Sequence, residues 1–191
     1  MDITALSPWT NSDQVPSPLT PAFKVRLYDE RVRGFQLDIA EQMLGIDPTT
    51  GNTRIPWAGF ASLAVVFSYF EAYEQHHSGV STEKGGSCNA FQRGVLDVFP
   101  QLDATSVQLR ALWKRLRCAL YHRGNPTGGI VIGPSYESPL EYSLTDDTWY
   151  VNPEKLISAL QEHHKRYVTT LGGTSPALTK FERIFDESWR S

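Results

Sequence analysis

Cysteine is nearly missing from this chain of 191 residues: Cys88 and Cys118 are its only two. Two thiols far apart, with no metal-ligand spacing, make no disulfide framework, and a reducing cytoplasm is the expected setting. Long apolar runs are missing too. The most apolar stretch, Trp57 to Phe70, is shorter than the roughly 20 residues a bilayer requires and ends at Glu71, so no membrane partner is expected. The opening segment up to Pro21 has neither a charged n-region nor an apolar h-region and does not read as a signal peptide. Charge of one sign is scarce, since 18 Lys and Arg stand against 21 Asp and Glu for a net −3. No global field draws a polyanion, and any attraction to nucleic acid has to come from a local patch. Metal signatures are absent as well. His76-His77 and His163-His164 are adjacent pairs, which point about 100° apart on a helix, and no Cys, Asp or Glu joins them at ligand spacing. No metal and no cofactor is expected. The run Glu83-Lys-Gly-Gly-Ser lacks the pattern of a phosphate loop and follows a helix rather than a strand.

What is present suits one globular domain, with 40% hydrophobic and 12% aromatic residues. Residues 1–20, rich in Pro, Ser and Thr, read as an extended arm with Trp9 as a candidate anchor, and 21–191 as a single domain. Thr20-Pro21 starts a helix ending at Gly45, with Phe23, Leu27, Val32, Phe35, Ile39 and Met43 at helical spacing. Residues 46–56 form a turn-rich loop. A second helix runs from Trp57 to about His77, with Phe60, Leu63, Ala64, Phe67 and Phe70 on one face. It is apolar nearly all round and therefore central. Glu71 shares the side of Phe60, Ala64 and Phe67, so a partner is expected for its carboxylate. A loop over 78–87 precedes a shorter helix over Cys88 to Phe99. After residue 126 the period changes: Ile130–Ile132, Leu140–Leu144 and Trp149–Val151 are β-prone, and 145–148 reads as a turn, which predicts a small antiparallel β-hairpin over about 129–151. Asn152-Pro153 caps a helix to Leu171, with Leu156, Ile157, Leu160, His164 and Tyr167 inward, and Ser175-Pro176 starts a final short one. The fold class is mainly α.

The segment Asp103 to Pro126 carries the chemistry. Thr105 with Gln108 fits a capping box, and Gly124 and Pro126 close the helix. Leu109, Leu112, Trp113, Leu116 and Leu120 face a core. Arg110, Lys114, Arg115, Arg117 and Arg123 supply five positive charges, with no acid from Leu109 to Pro126. At its end stands Arg117-Cys-Ala-Leu-Tyr-His122-Arg-Gly.

An Arg, four residues, then a His, late in a long helix of a helical domain, resembles the HEPN superfamily (higher eukaryotes and prokaryotes nucleotide-binding). The form Arg-Cys-x-Leu-x-His-x-Gly is similar to a variant in uncharacterised bacterial HEPN-like proteins. The resemblance spans about Thr20 to Leu171. It implies an up-and-down bundle of four to five helices that forms a homodimer with a composite cleft. It also implies metal-independent RNA cleavage or RNA binding in a toxin–antitoxin or defence setting, where a protein antitoxin would be a further partner. Carried over by motif, Arg117 holds the phosphate or transition state and His122 is the catalytic histidine. Two positions depart from the pattern. Cys118 stands where HEPN ribonucleases usually place a polar residue after the arginine, and Gly124 stands where some toxins have an antitoxin-modified tyrosine. The alternative that the resemblance leaves open is a non-catalytic HEPN-like dimer binding a nucleotide or a protein.

The residue types suit the chemistry. Phosphodiester cleavage requires a base, an acid and fixed positive charge on the transition state. Histidine titrates near neutrality, and arginine grips two phosphate oxygens. Glu71 and Tyr121 are supporting candidates, Glu71 by pairing with Arg117 or His122 and Tyr121 as an interface or core residue. Arg110, Lys114 and Arg123 are the phosphate-binding candidates. The plainer reading is structural: Arg117 pairs with Glu71 or helix-end carbonyls, and His122 is stabilised at a helix C-terminus. Five residues along an ideal helix also set Arg117 and His122 about 140° apart. Either the helix loosens at His122 or two chains combine.

Overall fold

The Thr20 hydroxyl accepts from the Phe23 N–H, and Pro21 occupies a position that requires no donor, so the first helix starts where the sequence places it. The structure, a computed structural model, describes residues 6–45, 49, 55 and 58–190. Most of the expected loop over 46–56, and Trp57, lie outside the described residues. α1 (Pro21–Val32) continues through a π-helical segment (Arg33–Leu37) into α2 (Asp38–Leu44). The π segment corrects the expected core face. Its i→i+5 bonds hold one more residue per turn, so the buried row runs Phe23, Leu27, Val32, Leu37, Ala40. Phe35 and Ile39 are turned out, 47% and 37% exposed.

α3 (Gly59–Val66) and α4 (Ser68–Ser78) are separated by a break at Phe67. The second helix is therefore two segments rather than one. Leu63, Val66, Phe67, Tyr69, Phe70 and Tyr73 are buried, whereas Phe60 and Ala64, expected on the inner face, are exposed. A helix apolar nearly all round cannot choose its inner side by periodicity. Its neighbours, α2 and the later helices over Ala119–Arg123 and Pro153–Thr170, choose it. Gly79, at φ 72°, terminates α4 in the left-handed conformation that favours glycine. α5 (Ser87–Val98) lies so close to α4 that a Cβ on Gly94 would overlap the Phe70 carbonyl.

The fourth helix is α6 (Ser106–Leu112), a second π segment (Trp113–Cys118) and α7 (Ala119–Arg123). Three strands follow: β1 (Ile130–Ile132), β2 (Leu140–Ser143) and β3 (Thr148–Val151), in the order β1-β3-β2. β2 and β3 form the expected hairpin, with Leu140 opposite Val151 and Ser143 opposite Thr148. β1 departs from expectation by pairing parallel to β3, Ile130 opposite Trp149. One side chain accounts for much of this. Asn152 donates from Nδ2 to the carbonyls of Pro134 and Tyr136, fixing the crossover, while its Oδ1 caps the helix that follows at the Lys155 N–H. Trp149, fully buried, donates from its indole to the Gln108 carbonyl and ties the sheet to α6.

α8 (Pro153–Thr170) buries Leu156, Ile157, Leu160, His163, His164 and Tyr167. α9 (Pro176–Arg190), at 15 residues longer than the short helix expected, packs on α4 and α1, where Lys24 pairs with Glu182 at 3.1 Å and Asp186 at 2.8 Å. The arm is fastened to α1 by other residues than the one expected. Ser7 and Thr10 donate to Glu30 and are buried, while Trp9 stays 53% exposed with the Arg33 guanidinium over its ring. Among the described residues, no helix is long and apolar enough to cross a membrane.

Candidate functional site

The helix of the Arg–His motif begins with the predicted capping box: Thr105 Oγ1 accepts from the Gln108 N–H, and Gln108 Oε1 accepts from the Thr105 N–H at 2.6 Å. Leu109, Leu112, Leu116 and Leu120 are buried as expected, which fixes the opposite side toward solvent. The π segment then alters which residues line up. In a continuous α-helix, Arg110 and His122 would stand about 120° apart. An inserted residue turns the following residues back by about 100°, the step of one residue. Arg110, Lys114, Cys118 and His122 thus come into one row, and Arg110, Lys114 and His122 are exposed. The helix loosens over Trp113–Cys118, ending four residues before His122, where the sequence expectation put the loosening; His122 itself stands in regular α-helix.

Arg117 leaves this row. Its Nη2 pairs with Glu71 Oε2 at 3.1 Å, with the arginine side chain 24% and the glutamate 11% exposed. Glu71 Oε1 accepts from Ser87 Oγ at 2.6 Å and Thr82 Oγ1 at 3.0 Å. One buried carboxylate therefore ties α4, the loop after it, the start of α5 and the motif helix. Of the two partners expected for Glu71, the structure selects Arg117. The role of Thr82 and Ser87 had no signal in the sequence, where they are two hydroxyl residues in a loop-like run.

Tyr121 is neither core nor shielded: it is 76% exposed. The Arg117 guanidinium carbon lies 5.6 Å from its ring centroid, and the His122 ring meets it edge-on at 5.1 Å. By these two legs the Arg117 guanidinium and His122 imidazole are within about 11 Å of each other, both against the Tyr121 ring. Arg123 is exposed one position on. Among the described residues, Arg110, Lys114 and Arg123 have no carboxylate in ion-pair range, whereas Arg115 is pinned to Asp147 Oδ2 at 2.9 Å and so fastens the helix to the β2–β3 turn. Burial pushes the Cys118 thiol up, against the pull of Arg117, which leaves it protonated and a poor nucleophile.

Three other histidines, His76, His163 and His164, serve the core. His76 Nδ1 contacts the Ala72 carbonyl at 2.8 Å, and burial lowers its pKa to about 4. His163 sits between Tyr69 at 2.8 Å and Asp97 at 3.5 Å, and burial outweighs Asp97 in lowering it. His164 meets Asp29 at 3.0 Å and holds that carboxyl below its ordinary range. Among the described residues, no group of three His, Cys, Asp or Glu is placed to hold a metal ion. A cavity of about 610 Å³ between Leu44, Ala58, Phe60, Ile132, Pro134 and Pro153 is lined by none of the motif residues.

Comparison of the chain with protein-family models, with curated proteins and with solved structures found no match. The HEPN resemblance rests on the motif residues and their helical setting.

Proposed function

We propose that the chain is a HEPN-like RNA-binding protein that cleaves RNA without a metal, with Arg117 and His122 as the catalytic pair. The observation that carries this reading is the row of Arg110, Lys114 and His122, all exposed, beside an arginine held in place by a buried carboxylate. Exposed cations with no carboxylate in ion-pair range among the described residues are suited to track a phosphate backbone. A guanidinium held in place by the Glu71 carboxylate is suited to the charge that develops at phosphorus.

The reaction balances without a cofactor. The 2′-oxygen attacks phosphorus as histidine takes its proton, the bond from phosphorus to the 5′-oxygen breaks, and a histidine returns a proton to that oxygen. The products are a 2′,3′-cyclic phosphate and a 5′-hydroxyl. Base and acid stand on opposite sides of an in-line displacement, so one histidine from each of two chains satisfies the geometry. A homodimer with a two-fold axis beside α7 would supply both, and it would also answer the divergence of Arg117 and His122 within one chain.

The test is RNA cleavage in EDTA by the wild type, Arg117→Ala and His122→Ala. Loss in both variants, with cyclic phosphate ends in the wild type, is the expected result. A second reading has its own support: the Arg117–Glu71 pair neutralises the arginine, as suits a module that binds RNA, a nucleotide or a protein without cutting. Absence of cleavage across varied RNAs by a dimeric protein would favour it. In a toxin–antitoxin setting, a protein antitoxin would bind over the same helix end.

A further inference from the structure

Tyr121 is the most exposed aromatic residue among those described, at 76%. Tyrosine, with an apolar ring and a polar hydroxyl, is enriched at interfaces. The ring is not free to wander. The Arg117 guanidinium lies over it at 5.6 Å and His122 abuts its edge at 5.1 Å, with the two rings at 90°. Glu71, itself held by Thr82 and Ser87, in turn holds Arg117 in a part-buried network. One face of the ring is thus backed by a cation that is itself fixed, and the exposure belongs to the rest of the ring. A held ring forfeits less conformational freedom when something stacks on it.

The setting decides what that something is. The helix from Leu109 to Pro126 has no acid, and exposed Arg110, Lys114 and Arg123 have no carboxylate in ion-pair range among the described residues. His122, Arg123, Gly124 and Asn125, which follow the tyrosine, are exposed and polar or small, not an apolar patch for a protein partner. A π-face among unpaired cations matches a nucleobase attached to a phosphodiester backbone. Bases in a duplex have both faces covered by their neighbours, so the fitting ligand is a single strand or a splayed loop base.

We infer that Tyr121 is a stacking platform for an unpaired nucleobase, placing the adjoining phosphate between Arg117 and His122, and that the substrate class of this site is single-stranded RNA. This rests on the RNA-binding reading above and narrows it. The test is anisotropy with a labelled 2′-O-methyl RNA, which lacks the free 2′-hydroxyl needed for cleavage, offered single-stranded, annealed to its complement, and with abasic positions. The wild type binds the single strand more tightly than the duplex. Tyr121→Ala weakens single-strand binding by about five- to a hundred-fold, Tyr121→Phe and Tyr121→Trp retain it, and abasic strands bind like the Ala variant. If the wild type binds but Tyr121→Ala and abasic strands bind equally well, stacking is overturned while the RNA reading stands. If Tyr121→Ala turns a dimer into a monomer in light scattering, the ring is a subunit contact and the inference is overturned. If the wild type neither binds nor cleaves RNA, both readings fall together.

Discussion

Separating Arg117 from Glu71 tests the keystone of the site. At 3.1 Å the bare attraction is about 5 kcal/mol at an effective dielectric constant near 20. Most of that is offset by desolvation. The arginine is also 24% exposed, so solvent screens the pair further, and the net coupling falls between the range for surface pairs and that for fully buried ones, about 1–2 kcal/mol. The two truncations are unequal. Arg117→Ala leaves Glu71 with the hydroxyls of Ser87 and Thr82 still donating, so it costs about 1–2 kcal/mol. Glu71→Ala removes three interactions and releases the loop after α4, at about 2–3 kcal/mol. The assay is urea unfolding of both single variants and the double variant, with the slope checked for constancy. In thermal unfolding, Arg117→Ala lowers Tm by about 2–8 °C. A coupling below about 0.3 kcal/mol, or a larger loss for Arg117→Ala than for Glu71→Ala, would refute this account of the keystone.

Three more outcomes are expected. Burial holds His76 and His163 neutral, His76 at about 4; the unfolded chain takes up these protons first, so stability is full above about pH 6.5 and declines toward about pH 4. Urea midpoints that stay level between about pH 7.5 and about pH 5 would contradict it. Gly94→Ala drives a Cβ into the Phe70 carbonyl and destabilises by about 1–3 kcal/mol or more, read as a lower urea midpoint. If Arg110 and Lys114 track phosphates, alanine at either weakens binding to varied single-stranded RNAs alike and reduces the slope of log K against log salt by about 0.7; an unchanged slope in both variants removes them from the interface.

Helix starts were legible because caps are local. Thr20 with Pro21, Thr105 with Gln108 and Asn152 with Pro153 each lie within a few residues of the N–H they satisfy. The core row of the motif helix was legible for the same reason, since Leu109, Leu112, Leu116 and Leu120 keep helical spacing. In the first helix the same reasoning put Phe35 and Ile39 inward, and the π segment moved Leu37 and Ala40 there instead. The site was legible in part. The sequence narrowed Glu71 to Arg117 or His122, but choosing between them required knowing how α4 lies against the motif helix. Thr82 and Ser87 were illegible, since only that packing makes two loop hydroxyls the other ligands of one carboxylate.

By itself the sequence determined where most helices start, their mainly α class, the shortage of thiols and the lone basic stretch at Arg110–Arg123, because each follows from composition or from contacts a few residues long. The tertiary structure decided the rest. It chose the inner side of α3, which is apolar nearly all round, and the parallel pairing of β1 with β3, whose partners are 19 residues apart. It also decided the two π segments. Spacing read from a sequence assumes a constant pitch, and a helix shifts its hydrogen bonds by one residue only where packing along its whole length rewards the new row. In the motif helix that shift brings His122 into line with Arg110 and Lys114 and leaves Tyr121 standing in solvent over Arg117.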